Sequence, residues 1–573
     1  MSDVTPRATE GMRAALTAAI QACVEKPVSA GWPYSPHVII FFSSACIMVV
    51  ELVAGRLIAR HLGSSLYTWT SIIGVVLAGM SIGNFIGGRI ADRWSPARSL
   101  GWLFLVASCS CVLSLGLNTV VGEIQQGWKV LFPLRVVFST LFIFLLPAFV
   151  LGTISPVTAK MALDRSKTVG RTIGSVYAWG AVGSIVGTFA TGFFLIAALG
   201  AKGVVLLIAA GLGLIGLFLG PWRIVHAIWV AVVLFLLWLS QTNSAAAFQI
   251  ACRYGLQEGE KRNTWLEQEQ RWEPSWEKGS FTRDGDYQYV RVYDQSVYDE
   301  SLGRARQIRA LQLDYLIHGY VDLQDPSYLK YAYEKTYAEM AKLFVGDEKE
   351  VAALFLGGGS YTFPRWVQWR WPKAICDVAE IDPLVVEANH EALGLDRGTT
   401  IRTYAMDARI ALDELPPERR YDLILGDAFT DLSVPYHLST VEFQRKLAER
   451  LKPNGVLMQN LIDDLSTGGL FLGAYTLTLK QVFKHVYVVS TERQGVRKSR
   501  DTFVLVAFDS DDPLRLAILE RYIPGHGGAL EGSILNAAQI ADIARRCGNR
   551  VLTDDNAPVE NLLEPVVRHR GES

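Results

Sequence analysis

The sequence predicts a multi-domain protein, in which an α-helical transmembrane bundle is followed by an α/β Rossmann-like domain with a small N-terminal β lobe. At 573 residues the chain is too long for one domain, and its 50% hydrophobic content is too high for two ordinary soluble ones. Long apolar segments fill the first 240 residues, whereas a strand, glycine turn, helix and strand pattern occupies Ala353 to Pro383.

Composition changes abruptly after Ser240, where the apolar segments stop and the chain becomes charged and rich in tryptophan. The first residues lack both a long apolar core and an obvious cleavage site, so we do not expect them to form a signal peptide. The predicted parts are an N-terminal cytoplasmic segment (1–37), a transmembrane helical domain (38–240), a linker (241–280), a β-rich lobe (281–349) and a Rossmann-like domain (350–573).

About seven apolar segments make up the predicted bundle. Most are long enough to cross a hydrocarbon core of about 30 Å as helices, and the last two are the shortest and nearly touch. They run approximately over Val38 to Ile58, Thr68 to Ile90, Leu100 to Val120, Val136 to Ala159, Ile173 to Ala198, Val204 to Leu219 and Ile224 to Leu239.

Small residues predict close packing between these helices. Gly79, Gly83 and Gly87 recur at a spacing of four, as do Gly183 and Gly187, so each stripe lets the backbone of a neighbouring helix approach.

Glu51 lies in the middle of the first segment, where an unpaired carboxylate is costly. Arg56, Lys160 and Arg135 are the candidate partners. A structural ion pair and a substrate site both remain open as explanations.

Charge and cysteine content exclude other classes of protein. A formal net charge of -1 provides no basic field for nucleic acid. The seven cysteines are odd in number and contain no CxxC pair, so we expect neither a disulfide framework nor a metal site. A reducing compartment is favoured.

Glycines at the end of one apolar run and acidic residues at the end of the next predict a nucleotide site. Gly357, Gly358 and Gly359 follow the first run, and Glu380 and Asp382 end the second. The glycines let backbone N–H groups approach a ligand, and the acidic side chain can accept both hydroxyls of a ribose. GGGS followed by EID is the form common at S-adenosylmethionine sites. The alternative is an ordinary βαβ unit with a glycine-rich turn.

Two further predicted strands end in acidic residues at the same edge of the sheet. Thr399 to Tyr404 leads to Asp407, and Tyr421 to Leu425 leads to Asp427. Because ligands bind beyond the carboxyl ends of such strands, these groups and the glycine loop form one candidate site. Lys452 to Gly455 predicts a turn before the next strand.

These motifs resemble the spermidine synthase (aminopropyltransferase) family, in its membrane-anchored form fused to a transporter-like bundle. The soluble part carries the resemblance over about Asp284 to Asn460, with Tyr287-Gln288 and Leu313-Asp314 in the β lobe. Other matching stretches are Glu51, Gly63 to Tyr67 and Ala91 to Arg93 in the membrane half, and Leu552 to Glu560 near the C-terminus.

The resemblance implies a role for each matching residue. Glu380 would hold the ribose of the sulfonium nucleoside, Asp407 would lie at the adenine, and Gln288 would reach the nucleoside from the β lobe. Asp427 would accept a proton from the attacking amine, because an ammonium is not a nucleophile. Asp431 is displaced by one position from the family's second aspartate, and a helix cap or loop role is an equal alternative.

The chain departs from the family pattern at two places. Ser360 replaces an aspartate that contacts the amino group of the donor, which puts the identity of the donor in question. Tyr331, Tyr333 and Glu334 compete for the position of a tyrosine–glutamine pair, and we assign Tyr333 to substrate binding. His318 is assigned to the substrate pocket, although a structural histidine is the commoner case.

Together these features predict a membrane-embedded aminopropyltransferase-like enzyme. It would use S-adenosylmethionine or its decarboxylated form as a co-substrate, without a permanently bound cofactor, and release methylthioadenosine. The expected partners are membrane lipid and a small polyamine-type substrate, with no nucleic acid and with homo-oligomer formation left open. A polyamine or nucleoside transporter or sensor with a non-catalytic domain, and an S-adenosylmethionine-dependent methyltransferase, are the alternatives.

Basic loops predict the orientation in the membrane. The positive-inside rule places the loops after the second and fourth segments, and the N-terminus, in the cytoplasm. Seven crossings would put the soluble domain outside the cell, away from cytosolic S-adenosylmethionine. We therefore expect that one of the last two segments does not cross the membrane, and that it either re-enters on the same side or lies along the interface. The soluble domain is then cytoplasmic, on an inner-membrane protein. The basic residues are Arg89, Arg93, Arg98, Lys160, Arg165, Lys167 and Arg171.

Overall fold

The computed structural model describes residues 35–568 apart from short gaps. Its described residues divide into two compact units, one made of residues up to 54, 71–121 and 140–257, and one made of 55–70, 122–139 and 258 onwards. The gaps are at 63–65, 126–127, 129, 131, 167, 243–244, 255, 258–259, 267–270, 278, 300–302, 315, 348–349, 429–433, 492–500 and 522–532.

Long apolar helices form the N-terminal part of the chain. They are α1 Pro36–Leu62, α2 Leu66–Arg93, α3 Pro96–Ile124, α4 Phe132–Asp164, α5 Val169–Ala190, α6 Ile196–Leu219 and α7 Arg223–Gln241, followed by the shorter α8 Ala245–Arg253. A π-helical turn, Thr191–Leu195, joins α5 to α6.

Six helices among the described residues are long and apolar enough to cross a membrane. One of them is the continuous stretch Val169–Leu219 of 51 residues, which contains the fifth and sixth predicted segments. Gly200 lies inside it with φ 68° and ψ 165°, outside the helical region. A glycine adopts this conformation without steric cost, which is why a helical break occurs at this residue. The predicted fifth and sixth segments lie on the two sides of this break, and the count is six instead of seven because both belong to this one stretch.

The predicted glycine stripes lie at close helix contacts. A Cβ atom added to Gly83 would lie 2.2 Å from the carbonyl oxygen of Phe149 on α4, and one added to Gly187 would lie 2.6 Å from the carbonyl oxygen of Ala45 on α1. Both contacts are closer than any side chain allows, so the predicted close packing is confirmed at these positions.

Glu51 has no ion pair among the residues that the structure describes. Two of its predicted partners bind elsewhere: Lys160 pairs with Asp164 at 2.6 Å, and Arg135 donates to the carbonyl oxygen of Trp128 at 3.0 Å. A structural ion pair, one of the two explanations left open for Glu51, is therefore not formed with either of these two residues.

The segment predicted as a linker contains α8 and an antiparallel strand pair, β1 Glu260–Leu266 and β2 Arg271–Glu277. The predicted β-rich lobe follows as a four-stranded antiparallel sheet in which neighbours in sequence are neighbours in space. Its strands are β3 Phe281–Asp284, β4 Tyr289–Asp299, β5 Arg304–Leu313 and β6 Leu316–Val321.

The Rossmann-like domain is built on an eight-stranded sheet of order β14-β12-β13-β11-β10-β7-β8-β9. The five strands β11, β10, β7, β8 and β9 are parallel, whereas β13 runs antiparallel to both β11 and β12. The strands are β7 Ala352–Leu356, β8 Ile375–Ala379, β9 Arg402–Tyr404, β10 Tyr421–Gly426, β11 Leu451–Asp463, β12 His485–Ser490, β13 Asp501–Phe508 and β14 Ser533–Ile534.

Strand order reverses between β7 and β10, and this switch point is where ligands bind in open α/β sheets. All five residues of β7 are buried, as expected for a strand covered on both faces. The predicted turn at Lys452 to Gly455 lies instead in an irregular start of β11, where pairing with β10 jumps from Leu451 to Val456.

Helices cover both faces of this sheet. The first of these helices, Ala332–Val345, falls within the segment predicted as the β lobe. Its residues Tyr337 and Phe344 pack in the same core as Phe355 of β7, so the helix belongs with the Rossmann-like sheet. The helices are α9 Ala332–Val345, α10 Thr362–Arg370, α11 Pro383–Glu391, α12 Ala408–Glu414, α13 Val441–Arg450, α14 Leu470–Lys480, α15 Pro513–Arg521, α16 Ala537–Arg546 and α17 Val559–Arg568.

Candidate active site

The glycine loop after β7 lies directly against the end of β10. Gly357 has φ 97° and Gly359 has φ 48°, in the region that favours glycine. A Cβ atom on Gly357 would lie 2.5 Å from the carbonyl oxygen of Asp427, whose own N–H donates to the carbonyl oxygen of Leu356 at 2.8 Å. Glycine is therefore required at this position to bring the two strand ends together.

Glu380 fastens the glycine loop to the end of β8. Its Oε2 accepts hydrogen bonds from the N–H groups of Gly358 at 2.8 Å and Gly359 at 3.2 Å, and its Oε1 accepts one from Asp382 at 3.0 Å. Burial raises the pKa of Glu380, and these donors counteract the rise by stabilising its charged form. The loop N–H groups expected to face a ligand thus bind Glu380 instead, because a buried carboxylate needs donors.

Asp427 is held by two side chains from other elements. Its Oδ2 accepts a hydrogen bond from the hydroxyl of Tyr333 at 2.9 Å, and its Oδ1 accepts one from Nδ2 of Asn460 on β11 at 2.8 Å. Burial raises the pKa of Asp427 to about 6, and the two donors limit the rise. Asn460 was not predicted to contribute to the site; its only signal in the sequence is a polar residue within an otherwise apolar strand.

A cavity lies between the glycine loop, Asp427 and the start of α9. It brings together the predicted residues His318, Tyr333, Ser360 and Asp427 with the three loop glycines. The lining residues are His318, Tyr333, Glu334, Tyr337, Phe355, Gly357, Gly358, Gly359, Ser360, Thr362, Phe363, Pro364, Leu425 and Asp427.

His318 brings an uncharged imidazole to this cavity. Burial lowers the pKa of His318 to about 4, so the ring is neutral near pH 7. Its Nε2 is buried and has no hydrogen-bond partner within the described residues. This nitrogen is therefore available to a polar group of a ligand.

Glu334 is a second carboxyl group in the cavity, and the sequence indicated it only as one of three candidates for the tyrosine–glutamine position. It accepts a hydrogen bond from the N–H of Tyr331 at 3.2 Å as part of a capping box at the start of α9. Burial raises the pKa of Glu334 to about 8, so it is largely protonated at pH 7. A cation entering the cavity would favour loss of that proton.

Ser360 offers the cavity an acceptor but no charge. Thr362 donates its only hydroxyl proton to the carbonyl oxygen of Tyr320 at 2.8 Å. The 2.7 Å hydrogen bond between the hydroxyls of Ser360 and Thr362 must then be donated by Ser360. Both lone pairs of the Ser360 oxygen are then left to accept hydrogen bonds from a ligand.

Asp407 lies outside this cavity lining. Its Oδ1 caps α12 by accepting the N–H groups of Arg409 at 2.9 Å and Ile410 at 3.3 Å, and its Oδ2 lies 2.8 Å from Nε2 of His437. His437 was not predicted to contribute to the site.

Gln288 is another predicted residue that does not line the cavity, and Glu380 does not line it either. Gln288 lies in the turn between β3 and β4, where its carbonyl oxygen accepts the N–H of Gly285 at 3.0 Å. That turn contacts Leu384 at the start of α11, because a Cβ atom on Gly285 would lie 2.7 Å from its Cδ2. Asp431 lies outside the described residues. The roles assigned to Gln288, Glu380 and Asp431 stay predictions.

Sequence comparisons connect the chain with known transferases. A probable polyamine aminopropyl transferase of Bifidobacterium longum is 30% identical over 110 residues, or 19% of this chain and 24% of that protein. A polyamine aminopropyltransferase of Vibrio vulnificus is 29% identical over 168 residues, or 29% of this chain and 54% of that protein. The chain thus spans between about a quarter and about half of the length of these curated relatives.

A solved structure also resembles part of the chain. A probable spermidine synthase from Corynebacterium glutamicum aligns at 20% identity with a TM-score of 0.40, covering 49% of this chain and 98% of that chain. No protein-family model matches the sequence. The sequence relatives confirm, over part of the chain, the resemblance to polyamine aminopropyltransferases that the motifs indicated.

Proposed function

We propose that this protein is a membrane-embedded, aminopropyltransferase-like enzyme that transfers the three-carbon arm of a sulfonium nucleoside to a polyamine-type amine. The observation that carries the proposal is the Asp427 carboxylate, held by Tyr333 and Asn460 in a cavity that the glycine loop also lines. A buried acceptor beside a nucleotide-type loop is what alkyl transfer to nitrogen requires.

Asp427 performs the proton transfer in this proposal. The amine nitrogen attacks the arm carbon bonded to the sulfonium sulfur, the carbon–sulfur bond breaks, and its electron pair goes to sulfur to leave the neutral thioether methylthioadenosine. The proton from nitrogen goes to the carboxylate of Asp427, whose pKa of about 6 keeps it ionised at pH 7. Glu334 supplies a second carboxyl group for a polycationic acceptor.

The donor is S-adenosylmethionine or its decarboxylated form, used as a co-substrate. Ser360 can accept a hydrogen bond from the amino group of either arm, but it adds no negative charge that would select an arm bearing only an ammonium. Both donors therefore belong in the assay.

Purified protein incubated with each donor and several polyamine-type amines, followed by mass spectrometry, tests the proposal. Methylthioadenosine together with an aminopropylated or aminocarboxypropylated amine is the expected result. S-adenosylhomocysteine with a methylated product would assign a methyltransferase, and nucleoside binding without any product would assign a sensor or transporter.

Removing the Tyr333 hydroxyl should move the acidic limb of the pH profile. Because Asp427 must be ionised, kcat/KM is expected to fall as the pH drops through about 6. Tyr333→Phe removes a hydrogen bond that stabilises the carboxylate, so the pKa rises and the limb shifts to higher pH by about one unit. Tyr331→Phe is the matched control, because Tyr331 donates to the carbonyl oxygen of Ile317. If the acidic limb of the kcat/KM profile stayed at the same pH in Tyr333→Phe, the titrating group would not be Asp427.

We also propose that the protein resides in the cytoplasmic membrane with its α/β domain on the cytoplasmic side. Large apolar side chains are exposed on the candidate membrane helices, among them Phe85, Phe193 and Ile228, and such a surface suits lipid. An alkaline phosphatase fused after Ser573 should be inactive in cells, whereas a reporter that works only in the cytoplasm should be active. The opposite pattern would place the domain outside.

A further inference from the structure

We propose that Asp554, in the C-terminal stretch Leu552 to Glu560, is a positioning residue for the nucleobase end of the site, acting on Asp407 through Arg409 and His437. This inference rests on the proposed function and on the role that the family resemblance implies for Asp407, which is to accept a hydrogen bond from the amino group of the nucleobase. The stretch was recognised in the sequence, but the site described so far gives it no role.

Asp554 holds the guanidinium of Arg409 in a fixed orientation. Arg409 donates from Nη1 to Oδ1 at 2.8 Å and from Nη2 to Oδ2 at 2.6 Å, a bidentate pair that fixes both position and plane. The hydroxyl of Thr440 donates to the same Oδ1 at 2.7 Å. The hydrogen bonds from Arg409 lower the pKa of Asp554 to about 2, so the pair is charged at physiological pH.

The same guanidinium holds the backbone of His437. Nη1 of Arg409 also donates to the carbonyl oxygen of His437 at 3.1 Å. The ring of His437 places Nε2 at 2.8 Å from Oδ2 of Asp407. A continuous chain of contacts thus runs from Asp554 to the carboxylate of Asp407.

Both oxygens of Asp407 are oriented by this arrangement. Oδ1 is occupied by the N–H groups of Arg409 and Ile410, and Oδ2 accepts from His437 with a lone pair left over. An ionised carboxylate can only accept hydrogen bonds. The remaining lone pair on Oδ2 therefore suits the exocyclic amino group of adenine, and it disfavours a base that has a carbonyl oxygen in place of that amino group. The arrangement therefore sets base specificity.

The C-terminal stretch is docked by contacts that do not depend on the Asp554 side chain. The N–H of Leu552 donates to the hydroxyl oxygen of Thr478 at 2.9 Å, and the carbonyl oxygen of Leu552 accepts a hydrogen bond from the N–H of Val441 at 2.9 Å. Thr553 and Asn556 form an isolated β-bridge. Because these contacts remain, replacing the Asp554 carboxylate should alter Arg409 more than the fold.

Calorimetry with methylthioadenosine and its 6-oxo counterpart methylthioinosine tests the inference on the full-length protein. Asp554→Asn should weaken methylthioadenosine binding by about tenfold, which is the usual size of the coupling between two residues in contact. It should also lower the ratio of the affinity for methylthioadenosine to the affinity for methylthioinosine. At saturating donor, kcat should stay within about twofold, because Asp554 does not touch the reacting atoms. Asp555→Asn removes the same charge one residue away and should leave both affinities unchanged.

The outcomes separate this inference from the proposed function. If the wild-type protein does not bind methylthioadenosine, the proposed function and this inference both fail. If the wild type binds it and Asp554→Asn has the same affinity and base preference, only this inference is overturned. If Asp554→Asn unfolds at a much lower temperature than the wild type, the same calorimetric comparison is made with Arg409→Lys. Lysine keeps the positive charge but cannot form the bidentate pair with Asp554. An unaltered base preference in that variant would also overturn the inference.

Discussion

Asp427→Asn is expected to lower kcat by a factor of about 100 or more, the usual contribution of a positioned general base. The amide preserves the shape of the side chain but cannot take the proton from the attacking amine. Affinity for methylthioadenosine should stay within about threefold, because Asp427 acts on the amine rather than on the nucleoside. Single-turnover rates and calorimetry measure the two effects separately.

Asp422→Asn is the matched control, because Asp422 lies near the start of β10, whereas Asp427 directly follows its end. Its carboxylate accepts from the N–H of Ala352 and from Lys452, at 2.8 Å and 2.7 Å, far along the strand from the cavity residues. Normal turnover by Asp427→Asn would mean that the base lies elsewhere, with Asp431 the next candidate, or that the domain does not carry out this reaction.

Glu380→Gln is expected to weaken nucleoside binding by about tenfold to a hundredfold, since each charge-assisted hydrogen bond contributes on the order of 1.5 to 3 kcal/mol. The structure adds a second reason for the loss. The amide would place its own N–H donors against backbone N–H groups, so the anchoring of Gly358 and Gly359 would weaken as well. Calorimetry with methylthioadenosine measures the change.

Glu391→Gln serves as the control for this substitution. Glu391 is the last residue of α11, the helix that follows Glu380 in the chain. It forms a solvent-exposed ion pair with Arg283 at 3.0 Å. Its replacement should leave the nucleoside affinity unchanged, because exposed ion pairs contribute little. If Glu380→Gln bound methylthioadenosine as tightly as the wild type, Glu380 would not hold the ribose, and the interpretation of the glycine loop would be wrong.

Local patterns in the sequence were sufficient for the architecture. Two features depend only on nearby residues: the apolar runs long enough to span a bilayer, and the glycine turn and acidic strand end between Gly357 and Glu380. Both were therefore predicted with their approximate bounds. The Rossmann-like fold and the meeting of Gly357 with Asp427 follow from the rule that parallel strands end at one edge. The resemblance to the family rested on the same short motifs.

The partners of each site residue depended on tertiary structure. Asn460 reaches Asp427 only because β11 lies beside β10, and Tyr333 reaches it only because α9 packs on the sheet. Neither neighbour is signalled by spacing, since the residues lie 33 and 94 positions from Asp427.

By itself, the sequence determined the two-part organisation, the strand-end carboxylates and the family resemblance, because these are encoded in periodicity and in motifs of a few residues. Only the tertiary structure decided that Glu380 binds the glycine loop, that Glu334 lines the cavity and that Asp554 reaches Asp407 through Arg409. The physical reason is that protonation and hydrogen bonding depend on burial and on distant chain segments, neither of which a local pattern specifies.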